Sequence, residues 1–151
     1  MELSDLLRVE QIEFGFEATS KKRTLERVSE LLANRTDNAS AIAIAEGFFA
    51  RERLGSTGLG FGVALPHTRL TETTIPAAAF LRLANPIDFD APDREPVTVV
   101  VGLVVPEQAT DAHLQVLAHL ASRFHDPVVR EKLRSSDSAI DVRALLIEQG
   151  N

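Results

Sequence analysis

The 151 residues predict an α/β fold, a three-layer α/β/α sandwich around a mixed β-sheet. Three observations carry that prediction. Two apolar, β-branched runs, Ile75–Leu83 and Val97–Val105, have the unbroken hydrophobicity of strands covered on both faces. Segments with apolar residues at helical spacing lie before, between and after the strand candidates. The composition, 44% hydrophobic and 25% charged, is that of an ordinary soluble globule. A chain of this length buries about two thirds of its unfolded surface, so one core suffices without disulfides or metal. One domain over residues 1–151 is expected, because no linker, repeat or low-complexity stretch divides it.

Val9 to Ala18 alternates in period two, with Ile12, Phe14 and Phe16 on one side and Glu13 and Glu17 on the other, and predicts a strand. Ser20 is placed to cap a helix carrying Leu25, Val28, Leu31 and Leu32 inward, and Asn34 to Asn38 is a loop. A second helix is predicted from about Ala39 to Leu54, with Ile42, Ile44, Ala45, Phe48 and Phe49 inward and Arg51 and Arg53 at its negative end. Val63-Ala64-Leu65 makes a short strand cut by Pro66, with His67 at its exit. Asn85 to Pro96 reads as a loop or short hairpin excursion between the two long strands. Thr110 is placed to cap a helix reaching Phe124, with Leu114, Leu117, Leu120, Ala121 and Phe124 inward. Asp126-Pro127 starts another helix, and Ser136 or Asp137 a last one ending near Leu146.

Composition also removes function classes. With no cysteine there is no disulfide framework, no thiolate metal site and no cysteine nucleophile. The net charge of −6 repels a polyanion, and the absence of Trp and Tyr leaves only Phe for base stacking, so nucleic-acid binding is not expected. The N-terminal residues are acidic where a signal peptide is basic, and no apolar run approaches the ~18 residues that span a bilayer. A cytoplasmic protein without membrane insertion is expected.

Gly55-Ser56-Thr57-Gly58-Leu59-Gly60-Phe61-Gly62 packs four of the eight glycines into eight positions. The phosphate-loop pattern is absent, and the dinucleotide pattern fails in both registers because Val63 and Leu65 stand where glycines are needed. The glycine segment leads into a strand with proline, whereas both phosphate-cradling motifs open a helix. A turn of no chemical meaning is the bland alternative.

Of the four histidines, His113, His119 and His125 are spaced by six, a rotation of about 240° on a helix, so no pair shares a face as zinc ligands must. His119 and His125 read as solvated, while His113 shares a face with Val116, Leu117, Leu120 and Phe124 and is either a near-core residue or a site residue. His67 follows Pro66 beside the glycine-dense backbone. A nucleophilic imidazole must be neutral, exposed on one nitrogen and oriented by the other, and such a rigid position can supply all three; an ordinary loop histidine is the alternative. A hydrolytic serine triad lacks its G-x-S-x-G elbow, and a paired-carboxylate glycosidase lacks the aromatics that sugar clefts present.

The run from Arg51 through Ser56-Thr57-Gly58, Gly60 and Gly62 to Pro66-His67 resembles the active-site motif of the enzyme IIA components of the phosphoenolpyruvate-dependent phosphotransferase system, in the fructose, mannitol and nitrogen-regulatory class. Pro86-Ile87-Asp88-Phe89-Asp90-Ala91-Pro92-Asp93, Leu103-Val104-Val105-Pro106-Glu107 and His113-Leu114 extend the resemblance over nearly the whole chain. The nitrogen-regulatory branch is expected to be the nearest, on the reading that the domain stands alone with no IIB or IIC segment attached. Phe61 departs from the polar residue common there, which bears on the partner surface. The resemblance implies an α/β/α domain whose His67 accepts a phosphoryl group through Nε2 from a histidine phosphocarrier protein, with His113 beside it and Arg51 as the nearby cation. Ser56, Thr57, Gly58, Gly60 and Gly62 would form the phosphoryl-binding loop, and neither metal nor other cofactor is implied. Passing the group on and using it as a regulatory switch toward a target protein are both compatible with this. A transporter-associated enzyme-IIA-like domain is a third possibility, against which intact His67 argues.

Overall fold

Two strands built almost wholly from branched and small apolar residues form the centre of the molecule. The computed structural model describes residues 2–109 and 111–149. In chain order the elements are α1 (Leu3–Leu6), β1 (Leu7–Phe16), α2 (Lys21–Ala33), α3 (Ala41–Glu52), β2 (Gly58–Gly60), β3 (Val63–Ala64), β4 (His67–Leu70), β5 (Ala77–Ile87), β6 (Val97–Pro106), α4 (Asp111–His125), α5 (Pro127–Ser135) and α6 (Ala139–Ile147). The sheet is mixed and six-stranded, in the order β1-β5-β6-β3-β2, with β4 also paired to β6. β5 and β6 run antiparallel, as do β2 and β3, while β1 lies parallel to β5, and β3 and β4 lie parallel to β6.

From Val99 onward, Val100 and Val104 enter one apolar cluster with residues of α2 and α3, while Val99, Val101, Leu103 and Val105 enter a second with α1, α4, α5 and α6. Side chains of β6 therefore alternate between two buried faces, the cause of its unbroken hydrophobicity. The three-layer α/β/α architecture expected from the sequence is the one observed. At Gly102 α2 packs close against the sheet: a Cβ there would lie 2.3 Å from Val28 Cγ1.

Several local expectations are corrected. β1 starts two residues earlier than expected, and its alternation breaks at Gly15, whose φ of +75° marks a bulge where Phe14 pairs with Arg82 but Phe16 with Leu83. Phe14 and Phe16 consequently point to opposite clusters, not to one. Ile42 is 74% exposed, because the inward stripe of α3 is Ile44, Ala45 and Phe48 and Ile42 lies about 200° from Ile44. In α4 the buried stripe is His113, Val116, Leu120 and Phe124, which turns Leu114 and Ala121 outward. β5 continues through Pro86 to Ile87, which pairs with Val97, into the segment expected to be a loop or short hairpin excursion.

Ser20, Ser40 and Asp126 cap α2, α3 and α5 by accepting main-chain N–H bonds, and Ser138, not Ser136 or Asp137, caps α6. The expected cap Thr110 lies outside the described residues. His119 is half-buried instead of solvated: its Nε2 donates to Leu146 O at 2.8 Å, and Arg123 Nε donates to Leu145 O at 2.9 Å. These bonds satisfy carbonyls of the last turn of α6 that the helix itself leaves without partners.

Candidate functional site

β3 and β4 are one interrupted strand. Val63 pairs with Val99 and Ala64 with Val100, and the same register resumes at His67 with Leu103 and ends at Leu70 with Pro106. Pro66 has no N–H to give the ladder, although its carbonyl accepts from Leu103 N at 3.0 Å. His67 is therefore the first residue of β4 and not the exit of a strand. Among the described residues β4 pairs only with β6, so its other edge is open. There a groove of about 570 Å³ runs between the end of α3, β4 and the start of α4, lined by Arg51, Leu54, His67, Arg69, Glu107 and His113 among others.

Strand alternation sorts these side chains. Leu70 belongs to the α2–α3 cluster and Thr68 abuts Gly47 of α3, so His67 and Arg69 face the α4 side. The rings of His67 and His113 lie 5.7 Å apart, centroid to centroid, at 50°. His67 is half-buried, with Nδ1 2.9 Å from Leu65 O. A carbonyl oxygen only accepts, so Nδ1 carries the proton and Nε2 of the neutral ring keeps a lone pair. Burial pushes His67 below the ordinary histidine pKa; the Leu65 bond opposes this, the Arg51 charge adds to it, and Glu52 again opposes it. His113 is pushed down chiefly by burial, then by the charges of His67 and Arg69. His113 is 7% exposed, and its buried Nδ1 has no hydrogen-bond partner among the described residues.

Two guanidinium groups flank the histidines. Arg51, in the last turn of α3, donates through Nη1 to Gly55 O at 2.8 Å. Neither Arg51 nor Arg69 makes an ion pair among the described residues. Glu52, beside Arg51, turns the other way. Its carboxylate accepts from Thr57 N at 3.0 and 3.2 Å and pairs with Lys21 Nζ at 2.7 Å, tying the start of α2 and the end of α3 to the glycine segment. A neutral, oriented imidazole with a free lone pair, set in an open groove between cations, is equipped to attack an anionic electrophile.

The structure thus brings together His67, His113 and Arg51, the three residues singled out as catalytic. It does not bring the whole glycine segment to them. Ser56 Oγ donates to Phe89 O at 2.8 Å and accepts from Gly58 N at 3.0 Å, while Thr57 is buried with its N–H on Glu52. Gly58 to Gly62 fold as a hairpin on β3, with Phe61 and Gly62 both at positive φ, as a two-residue type I′ turn requires. Its tip, with Gly60 and Gly62, stands level with Val63, four residues before His67 and so roughly 13 Å away along the strand. Phe61 N–H is held by Asp93 Oδ2 at 2.9 Å, and Arg130 lies 4.2 Å from the centre of the Phe61 ring. None of Ser56, Thr57, Gly58, Gly60 or Gly62 lines the groove. Sequence reasoning passed over Arg69, Glu52 and Glu107. Reading His67 to Leu70 as a strand would have found Arg69, since residues two apart share a face.

Among the described residues no helix is long and apolar enough to cross a membrane. Over residues 5–149 the chain matches the family described as "Phosphoenolpyruvate-dependent sugar phosphotransferase system, EIIA 2". It is 42% identical over 132 residues to a nitrogen regulatory protein of Pseudomonas aeruginosa, covering 87% of this chain and 86% of that protein. It is 32% identical over 149 residues to the PTS system fructose-specific EIIA component of Haloferax volcanii, covering 97% and 96%. The solved structure of the nitrogen regulatory protein IIA-Ntr from Neisseria meningitidis is similar with a TM-score of 0.91 and 43% identity, over 95% of this chain and 97% of that one.

Proposed function

The chain belongs to the EIIA 2 family of the phosphoenolpyruvate-dependent sugar phosphotransferase system, and from that premise we propose that His67 accepts a phosphoryl group from a histidine phosphocarrier protein. The observation that carries the reading is the hydrogen bond from Nδ1 to Leu65 O, which leaves Nε2 as the nucleophile. The Nε2 lone pair attacks phosphorus, the P–N bond to the donor imidazole breaks, and its electron pair returns to the donor ring. As the new bond forms, the His67 ring gains positive charge, which the Leu65 carbonyl meets through the retained Nδ1–H. The transferred group spreads its negative charge over its equatorial oxygens, so positioning and charge stabilisation supply most of the catalysis. Arg51 and His113 are the groups of the groove placed to provide it, and the net charge of −6 suits a donor with basic groups around its own histidine.

The test is phosphorylation by phosphoenolpyruvate, enzyme I and the phosphocarrier, followed by mass. An acid-labile gain in the wild type that is absent in His67→Ala is expected, and equal labelling of the two overturns the reading.

A regulatory output is favoured over sugar transfer by two relatives above 40% identity that are named nitrogen regulatory proteins. In this reading phosphorylation is a switch. It adds about −1.5 to −2 charge, by analogy with other phosphorylated side chains, beside Leu54, which is 85% exposed at the lip of the groove. A target docking an apolar or acidic surface there binds the bare form, and one presenting an arginine binds the phosphorylated form. Equal affinity of both forms for the isolated target overturns the switch.

A further inference from the structure

We propose that Arg69 is a second phosphoryl-binding cation, closing over the group on His67 Nε2 from the α4 side while Arg51 approaches from α3. This rests on the phosphohistidine reading above. Arg69 stands two residues after His67 on β4, so both side chains leave the same face of the strand, about 6.6 Å apart at their roots. Thr68 between them points to α3, as its approach to Gly47 shows. Arg69 is an exposed residue, borders the same groove and makes no ion pair among the described residues. Its charge reaches His113, whose ring packs on His67, which places it on the histidine side of the groove.

Charge distribution gives independent support. Glu52 faces Lys21 and Thr57, which leaves Glu107 as the carboxylate of the groove against two guanidinium groups. The groove is locally cationic on a chain of net charge −6, as a site for a dianionic group should be. Arg51 also commits one N–H group to Gly55 O. A second guanidinium supplies planar, paired donors for the remaining phosphoryl oxygens.

The test uses the full chain with phosphoramidate, a small phosphoryl donor that needs no docking surface. Its P–N bond breaks, ammonia departs with the electron pair, and the Nε2–P bond forms. Arg69→Ala and Arg69→Gln are expected to slow phosphorylation of His67 about tenfold, below the ~10²-fold of a buried donor because this site is open to water. Arg69→Lys should recover part of the rate. In Arg69→Ala and Arg69→Gln the NMR titration of His113 should move to higher pH, since a neighbouring cation is gone, while Arg69→Lys, which keeps the charge, should leave it near the wild-type value. Wild-type rates in Arg69→Ala and Arg69→Gln with phosphoramidate overturn the proposal, including the case where they are slow only with the protein donor, which would make Arg69 a docking residue. If wild-type His67 stays unmodified by both donors, the phosphohistidine reading itself fails and the clamp with it.

Discussion

Glu52→Gln is expected to cost the protein about 2 kcal/mol of stability while leaving its shape intact. The carboxylate is 7% exposed, with one oxygen 2.7 Å from Lys21 Nζ and both oxygens accepting from Thr57 N–H. At an effective dielectric of about 20 the charge pair alone is worth roughly 6 kcal/mol, but most of that is offset by removing two charges from water. Hydrogen bonds to charged groups keep a net of about 1.5–3 kcal/mol. Lys21 retains 20% exposure and a second partner in Asp90 at 3.5 Å, which argues for the middle of that range. The glutamine amide can still accept from Thr57 N–H, so the lost part is the interaction with Lys21. Urea unfolding of wild type, Lys21→Met, Glu52→Gln and the double variant isolates it, with a coupling energy above about 1 kcal/mol expected and the m-value unchanged. In the same variant His67 should titrate at lower pH, because the Glu52 charge favours its imidazolium form. Additive effects, or a His67 titration that does not move, would refute the view that Glu52 ties the glycine segment to α2 and acts on the site.

Phosphoryl transfer to His67 should fall as pH drops through its depressed pKa, since only the neutral ring has a lone pair; burial, the Leu65 bond, Arg51 and Glu52 set where this occurs, and Arg69, Glu107 and His113 are the other ionisable groups lining the groove. Because the unfolded histidine binds its proton at higher pH than the folded one, stability should also decline as pH falls from about 6.5 toward the folded value and then level off, in denaturant melts that His67→Ala flattens. His113→Ala should slow transfer by up to about 10²-fold with little change in melting temperature, because the substitution also removes a buried ring nitrogen without a hydrogen-bond partner. Gly102→Ala should destabilise by about 1–3 kcal/mol, since its methyl group would sit 2.3 Å from Val28 Cγ1 in a packed interface; thermal melts check this, and an unchanged midpoint would mean that α2 yields freely.

The architecture was legible because the central strands advertise burial on both sides and because Ser20 and Asp126-Pro127 are caps whose chemistry is local. His67, His113 and Arg51 were legible as a group only through a resemblance. Nothing in their spacing brings a strand, a distant helix and the end of α3 to one groove. Errors fell where tertiary geometry overrides local pattern. A bulge at Gly15 reverses one phenylalanine, and Leu114 is turned out because the inward stripe of α4 is centred on His113 and Val116. The resemblance implied a phosphoryl-binding loop in the glycine segment, and glycine density does not say which way a hairpin points. Its N–H groups at Thr57, Gly58 and Phe61 are already taken by Glu52, Ser56 and Asp93.

The group that chooses the tautomer of His67 is a main-chain oxygen, that of Leu65. In sites where a carboxylate orients the histidine, one codon change can remove the orienting group. Here every side chain at position 65 brings the same carbonyl, so reactivity at Nε2 is insulated from substitution there so long as the strand register survives. Drift in the sequence around the histidine can then alter partners, rate and pH response separately, while the identity of the reacting nitrogen stays fixed by the backbone.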